Sequence, residues 1–348
     1  MTDTACTSGA TSTLAASAFD ISLITGVSDL STIKWYNNPF LTKYIGCSPQ
    51  STINFCMQVG LLPKPSRKCT YCKRNLKLVP ENKPANKTPV VYRCFNRGCR
   101  HYGKYISIKQ DTVFDNMHLT FKTVLRLIFL YIGNISTYEQ LLHECYDESE
   151  HQLNTTTIND WLTYFREIQL EALIRHSTGK IGGENLTVEV NEVKFGKRKY
   201  NRGRAVEEQW VVGGIGRETD EISVALCPEN KRDSQTLLSI IEEHVDNRST
   251  VITDCWRAYE QLDQDNWQHL TVNHLHNFID HHAGAHTQNI ENTWWQLKRN
   301  LPSTHAGRGG NLILYFVDYL WRRKFKGTDD HLCLTFIRHT VELYLGWQ

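Results

Sequence analysis

Between Leu186 and Leu301 the chain alternates β-branched runs with amphipathic stretches, and this order restricts the fold more than any other feature. "LTVEVNEV", "QWVVGGIG" and "EISVALCP" read as three consecutive strands, the last two separated by the turn-forming "RETD". "SQTLLSIIEEHV" follows as a helix, with Leu237, Leu238, Ile240, Ile241 and Val245 clustered on one side. "STVITD" reads as a buried strand, "WRAYEQL" as a helix, "HLTVNHL" as a strand and "TQNIENTWWQLKRNL" as a final helix. Three strands in succession and then alternating units predict a mixed α/β sheet with helices on its faces. No internal repeat is evident.

The rest of the chain reads differently. At 348 residues, two or three domains are expected. Residues 1–30, rich in Ser, Thr and Ala, suggest a disordered tail, and 31–62 a helical segment with Ser51 as N-cap. Residues 63–110 carry Pro63, Pro65, Pro80, Pro84 and Pro89 and four cysteines in two close pairs, Cys69 with Cys72 and Cys94 with Cys99. Short loops of this kind bring four thiolates around one tetrahedral Zn²⁺, so a structural zinc ribbon is expected, with Gly98 suited to a tight knuckle. Eleven cysteines, an odd number without a secretory signal, favour metal ligands and free thiols over disulfides. Residues 111–180 read as a small helix-turn-helix-like domain with helices at 120–132, 136–146 and 155–175; 181–330 form the α/β domain and 331–348 a C-terminal helix. The longest apolar stretch, Val124 to Gly133, is too short to span a bilayer and contains Arg126, so no membrane partner is expected.

Net charge is only +2, but the charges are clustered. Residues 61–110 hold thirteen Lys or Arg against one acid, Glu81, and 194–204 hold six basic residues and no acid. Such blocks suit phosphates, which points to Lys73, Arg74, Lys197, Arg198, Lys199, Arg202 and Arg204 as DNA contacts. Lys298, two turns beyond Glu291 on one helix face, joins them. The helices at 135–172 bear eight acids and one Arg, so they suit subunit or domain packing as well as DNA reading.

Three positions carry candidate chemistry: Asn191 in a strand, Asp254 at a strand end and Glu291 on a helix. An RNase H-like sheet gathers carboxylates from two neighbouring strands and a helix in this order. Such a cluster holds two Mg²⁺ or Mn²⁺ ions for phosphoryl transfer. His274, His276, His281, His282 and His286 crowd the segment before Glu291, with His286 expected to help shape the site. Trp294 and Trp295 read as core and interface aromatics.

"VEVNEVKFGKRKYNRGR", "VITDCWRAY" and "HTQNIENTWWQLKR" resemble the three catalytic blocks of Merlin-type DDE transposases and of related bacterial insertion-sequence enzymes with an N-terminal zinc ribbon. The resemblance extends over roughly residues 65–325, including "DTVFDNMHLTFKTVLRLIFLYI". It implies cut-and-paste movement of double-stranded DNA flanked by terminal inverted repeats, joining to target DNA, and a homodimer or larger assembly. It further implies location in the nucleus of a eukaryote or the cytoplasm of a bacterium. The chain departs from that pattern at Asn191, where the family has Asp. A neutral amide bridges two cations poorly. Glu189 shares the strand face but sits about 7 Å away by the strand rise, and Glu192 points to the opposite face. Two other readings follow: a non-enzymatic DNA-binding protein derived from a transposase, and an RNase H-like nuclease.

Overall fold

The computed structural model describes residues 48–64, 66–81, 90–135, 137–146, 153–196, 208–262, 267–272, 286–301, 309–327 and 331–345. They form two compact units, one running to Ile168 and resuming at Phe325, the other Gln169–Lys324.

The first unit begins with α1 (Pro49–Gln58). Its N-cap is Ser48, not the expected Ser51. Ser51 is instead the third helical residue, and its hydroxyl accepts from the Ser48 backbone N–H while Ser48 Oγ accepts from the Ser51 N–H. Pro49, which has no N–H to lose, takes the first helical position. Strands β1 (Lys77–Pro80), β2 (Val90–Arg93) and β3 (Tyr105–Ser107) make a three-stranded antiparallel sheet in sequence order. Three helices follow, α2 (Phe121–Ile132), α3 (Tyr138–Glu144) and α4 (Thr155–Arg175), the first two capped by the hydroxyls of Thr120 and Thr137. Buried Phe165 of α4 meets Tyr131 of α2 and Phe336 of the C-terminal helix.

The second unit holds β4 (Thr187–Phe195), β5 (Gln209–Gly216), β6 (Ile222–Leu226), α5 (Ser234–His244), β7 (Thr250–Asp254), β8 (Gln268–Val272), α6 (Gln288–Asn300) and most of α7 (Gly309–Phe325). The closing helix of the first unit, α8, is Leu332–Leu345. The sheet order is β6-β5-β4-β7-β8. β5 runs antiparallel to both its neighbours, while β4, β7 and β8 are parallel. The first strand of this sheet in sequence, β4, is therefore central, and this order with an antiparallel second strand is the RNase H-like sheet. Its two faces are covered separately. Val188, Val190, Val212 and Val251 meet Leu237, Ile240 and Ile241 of α5, whereas Phe195, Val211 and Ile215 meet Ile290, Trp294 and Leu297 of α6 and Phe316 of α7. The segment expected as a helix at 256–262 forms only a 3₁₀ turn, Arg257–Tyr259. Asp254 Oδ1 accepts from the Trp256 N–H and turns the chain at once, and Tyr259 is committed to a buried hydrogen bond. Among the described residues no helix is long and apolar enough to cross a membrane.

Candidate functional site

Strand alternation sorts the acids of β4. Val188 and Val190 point toward α5, so Glu189, Asn191 and Val193 point toward α6. β4 pairs in parallel with β7 from Thr187↔Thr250 to Glu189↔Ile252, so Asn191 and Asp254 each lie two residues beyond the last pair. On its other side Asn191 is paired directly with Gly213 of β5. The α6 side of Gly213 is filled by Trp294, whose Cη2 would lie 2.4 Å from a Cβ added there. Only glycine lets α6 lie this close to the strand beside Asn191. Glu291, three residues before the buried Trp294 on α6, is itself exposed.

Glu189 docks the start of that helix. It is fully buried. Its Oε2 accepts from the backbone N–H groups of Asn289 and Ile290 at 2.9 and 3.2 Å, and its Oε1 from Asn289 Nδ2 at 2.8 Å and Arg217 Nε at 2.8 Å. Those two amides are orphan donors of the first helical turn, which the N-cap residue ordinarily satisfies. Thr287, the N-cap of α6, makes no such bond, and its hydroxyl donates to Glu291 Oε1 at 2.8 Å instead. A carboxylate from the central strand thus caps the helix across the fold, where the helix dipole also favours negative charge. Arg217 reinforces the junction by donating to the His286 carbonyl at 2.6 Å. His286 Nδ1 lies 3.2 Å from Glu189 Oε1, within ion-pair distance but off the hydrogen-bonding direction. By its strand face alone Glu189 is a distant substitute for a metal ligand; a strand acid two residues before the candidate position, facing a helix start, is the signal for its capping role.

Glu192, on the opposite face, is also committed. Tyr259 donates to it at 2.6 Å and Arg232 at 3.1 Å, and the Arg232 guanidinium lies 4.1 Å from the ring centroids of both Trp210 and Trp256. Burial, aided by the nearby negative charge of Asp254, raises the Glu192 carboxyl above the ordinary range against the pull of Tyr259 and Arg232.

The four cysteines converge. Their sulfurs all lie within 4.8 Å of one another, with Cys69–Cys99 and Cys72–Cys94 each at 3.8 Å. Zn–S bonds of about 2.3 Å at tetrahedral angles put sulfurs about 3.8 Å apart, so the cluster fits that ion. His101 Nδ1 sits 3.9 Å from Cys69 Sγ, and its backbone N–H donates to Cys99 Sγ at 3.2 Å. The Arg74 backbone beside Cys72 draws its thiol down to about 6, while burial pushes Cys99 up to about 12. Gly98 does not take the expected left-handed turn; Lys73 and Gly103 do, at φ 57° and 71°. The second loop is closed by the Gly103 N–H donating to the Cys94 carbonyl, which moves the special residue past the knuckle.

Lys73 and Arg74 are exposed on this ribbon. Lys298 is exposed on α6, with its ammonium 5.6 Å from the Phe195 ring centroid. Trp294 is buried and Trp295 is exposed beneath Arg299. Lys197, Arg198, Lys199, Arg202, Arg204, His274, His276, His281 and His282 lie outside the described residues.

A five-stranded mixed sheet in RNase H-like order, flanked by helices, and a separate four-cysteine cluster that could hold zinc define the class of fold. The domain family described as "ISXO2-like transposase domain" matches residues 181–324, the stretch that builds this sheet and the helices over its α6 face. A Haemophilus influenzae protein named "Uncharacterized transposase-like protein" is 35% identical over 89 residues, which is 26% of this chain and 71% of the relative. The chain belongs to the ISXO2-like transposases, an insertion-sequence type of DDE transposase. Among solved structures it is distantly similar to a chain of the simian T-cell lymphotropic virus intasome in complex with PP2A regulatory subunit B56 gamma, at 13% identity and TM-score 0.21, covering 55% of this chain and 58% of that one. The Mos1 strand transfer complex (11%, TM-score 0.23, covering 64% and 76%) and the Drosophila P element transposase strand transfer complex (10%, 0.26, 64% and 63%) are similar to the same degree. The fold assignment rests on strand order rather than on these likenesses.

Proposed function

We propose that this chain binds the terminal inverted repeats of a DNA element, and that Asn191, Asp254 and Glu291 form its cleavage and strand-transfer site in a catalytically impaired state. The observation that carries the reading is the parallel pairing of the neighbouring strands β4 and β7, whose last pair comes two residues before Asn191 and Asp254. Asp254 and Glu291 each carry a carboxylate, whose hard oxygens suit Mg²⁺ or Mn²⁺; Asp254 Oδ1 also accepts from the Trp256 N–H and Glu291 Oε1 from the Thr287 hydroxyl. Two such ions would activate the attacking oxygen and stabilise the leaving one. Asn191 adds a neutral carbonyl where a third negative charge is needed. No neighbouring acid on β4 is free to replace it, since Glu189 is spent on capping α6 and Glu192 on Tyr259 and Arg232. The exposed Lys73, Arg74 and Lys298, with the basic stretch 197–204, support contacts to DNA phosphates. Assembly as a homodimer or larger would let two sites act on paired ends.

The test is Mg²⁺-dependent cleavage of duplex DNA carrying the repeats that flank the gene, for this chain and for Asn191→Asp. The substitution should raise cleavage on the order of a thousandfold, equivalent to several kcal/mol of barrier. Glu291→Ala in the Asn191→Asp chain should abolish it. Efficient cleavage by the chain as it stands would show that residue 191 is not a metal ligand. An Asn191→Asp chain that binds repeat DNA and does not cut favours the second reading, a DNA-binding protein derived from a transposase, which the same asparagine supports.

A further inference from the structure

Nine large apolar side chains stand exposed among the described residues, and four of them, Tyr71, Phe95, Tyr102 and Tyr105, belong to the cysteine ribbon. Two are ordered into a ladder. Lys77 pairs with Arg93 and Arg93 with Tyr105 across the three strands, so all three share one face of the sheet. Phe95 follows Arg93 by two residues. The Arg93 guanidinium lies 5.3 Å from the Phe95 centroid and 5.2 Å from that of Tyr105, and the Lys77 ammonium 5.6 Å from Phe95. Cation and ring alternate, Lys77–Phe95–Arg93–Tyr105, with 46% of Phe95 and 57% of Tyr105 exposed. No carboxylate pairs with Lys77 or Arg93 among the described residues.

We propose that this ladder is a binding surface for unpaired DNA, with Phe95 and Tyr105 stacking on nucleobases while Lys77 and Arg93 neutralise the phosphates between them. Phosphate attraction alone would be served by lysine and arginine, and exposed rings cost apolar surface that small domains normally bury. Rings held between cations on a strongly basic module match the chemistry of strand-tracking grooves, in which each stacked base adds appreciably to affinity. In an intact duplex the base faces are already stacked on one another, so the ladder suits a single strand such as that at an opened or nicked end. The inference goes beyond the cleavage reading and uses none of Asn191, Asp254 or Glu291.

The zinc-loaded full chain in Mg²⁺-free buffer is titrated against fluorescein-labelled oligo-dT and against a duplex of equal length, about 20 nucleotides to exceed a typical site. Phe95→Ala and Tyr105→Ala should each weaken oligo-dT binding at least fivefold and duplex binding less than twofold. Phe95→Trp should retain binding, and Phe95→Lys, which adds charge but removes the ring, should weaken it. Unchanged zinc content in the Phe95 variants verifies that the ribbon is folded. Tighter oligo-dT binding by Phe95→Lys, equal weakening of both DNA forms, or no oligo-dT binding at all would overturn the proposal. A tenfold preference for oligo-rU over oligo-dT would overturn DNA as the ligand.

Discussion

The cysteine ribbon and the five-stranded sheet hold their strands together by opposite means. In the ribbon, strands of three and four residues meet around four sulfurs and leave aromatic rings in solvent. Among the described residues the sheet has no comparable cysteine cluster; its central strand is nine residues long and lies between two apolar clusters. With a metal held by those sulfurs the ribbon could vary its surface freely, because binding free energy at such a site is folding free energy. The sheet must keep its interior, and the few polar groups placed there are held rigidly by several partners each.

The largest test of that contrast removes one sulfur. Cys72→Ser should lose zinc and the ordered ribbon together, because structural zinc contributes about 10–16 kcal/mol in comparable modules. Metal analysis combined with amide exchange should show residues 68–107 unprotected while β4, β5 and β7 keep their protection. Zinc-free protein with a protected ribbon would mean that the strands hold without the metal.

A smaller but still large effect is expected inside the sheet. Glu189→Gln leaves Arg217 without its buried carboxylate and weakens the cap of α6, a change of about 3–5 kcal/mol for broken buried pairs. Urea denaturation should show the loss, and the Asn289 and Ile290 amides should exchange faster. Unchanged exchange at those amides would remove Glu189 from the role of cap. Next, Gly213→Ala forces a methyl into Trp294 and should destabilise the sheet unit by about 1–3 kcal/mol, as overpacked cores do. Adding Trp294→Leu should recover part of that loss, a coupling that a double-mutant cycle reads directly.

The smallest effect concerns pH. The Glu192 carboxyl is raised in the folded chain, chiefly by burial, so the fold favours its protonated form relative to the unfolded chain. Its contribution to stability is therefore greatest below the ordinary carboxylate range and declines as pH rises through the raised value. Carbon-detected NMR titration should find Glu192 ionising later than exposed glutamates, and Glu192→Gln should flatten that part of the stability profile.

Periodicity and spacing alone disclosed much of this protein. The β-branched and apolar runs at 187–195 and 209–216 have one workable secondary structure, and two close cysteine pairs suit one cluster, so the strands and the convergence of the four sulfurs could be read locally. Helix caps were less legible: the sequence pattern points to Ser51, and only the bonds of the folded helix put Ser48 in that place. The helix expected of "WRAYEQL" reduces to a 3₁₀ turn at Arg257–Tyr259, where Tyr259 bonds Glu192 and Trp256 lies against Arg232. What tertiary structure alone decided is long-range. Glu189 meets Asn289 and Ile290 a hundred residues away, and Gly213 is required by Trp294. The alternation of rings and cations on the ribbon exists only once three strands are in register. Local sequence specifies which residues seek water, apolar cover or metal, whereas the partner that satisfies a buried charge is chosen when the chain closes on itself.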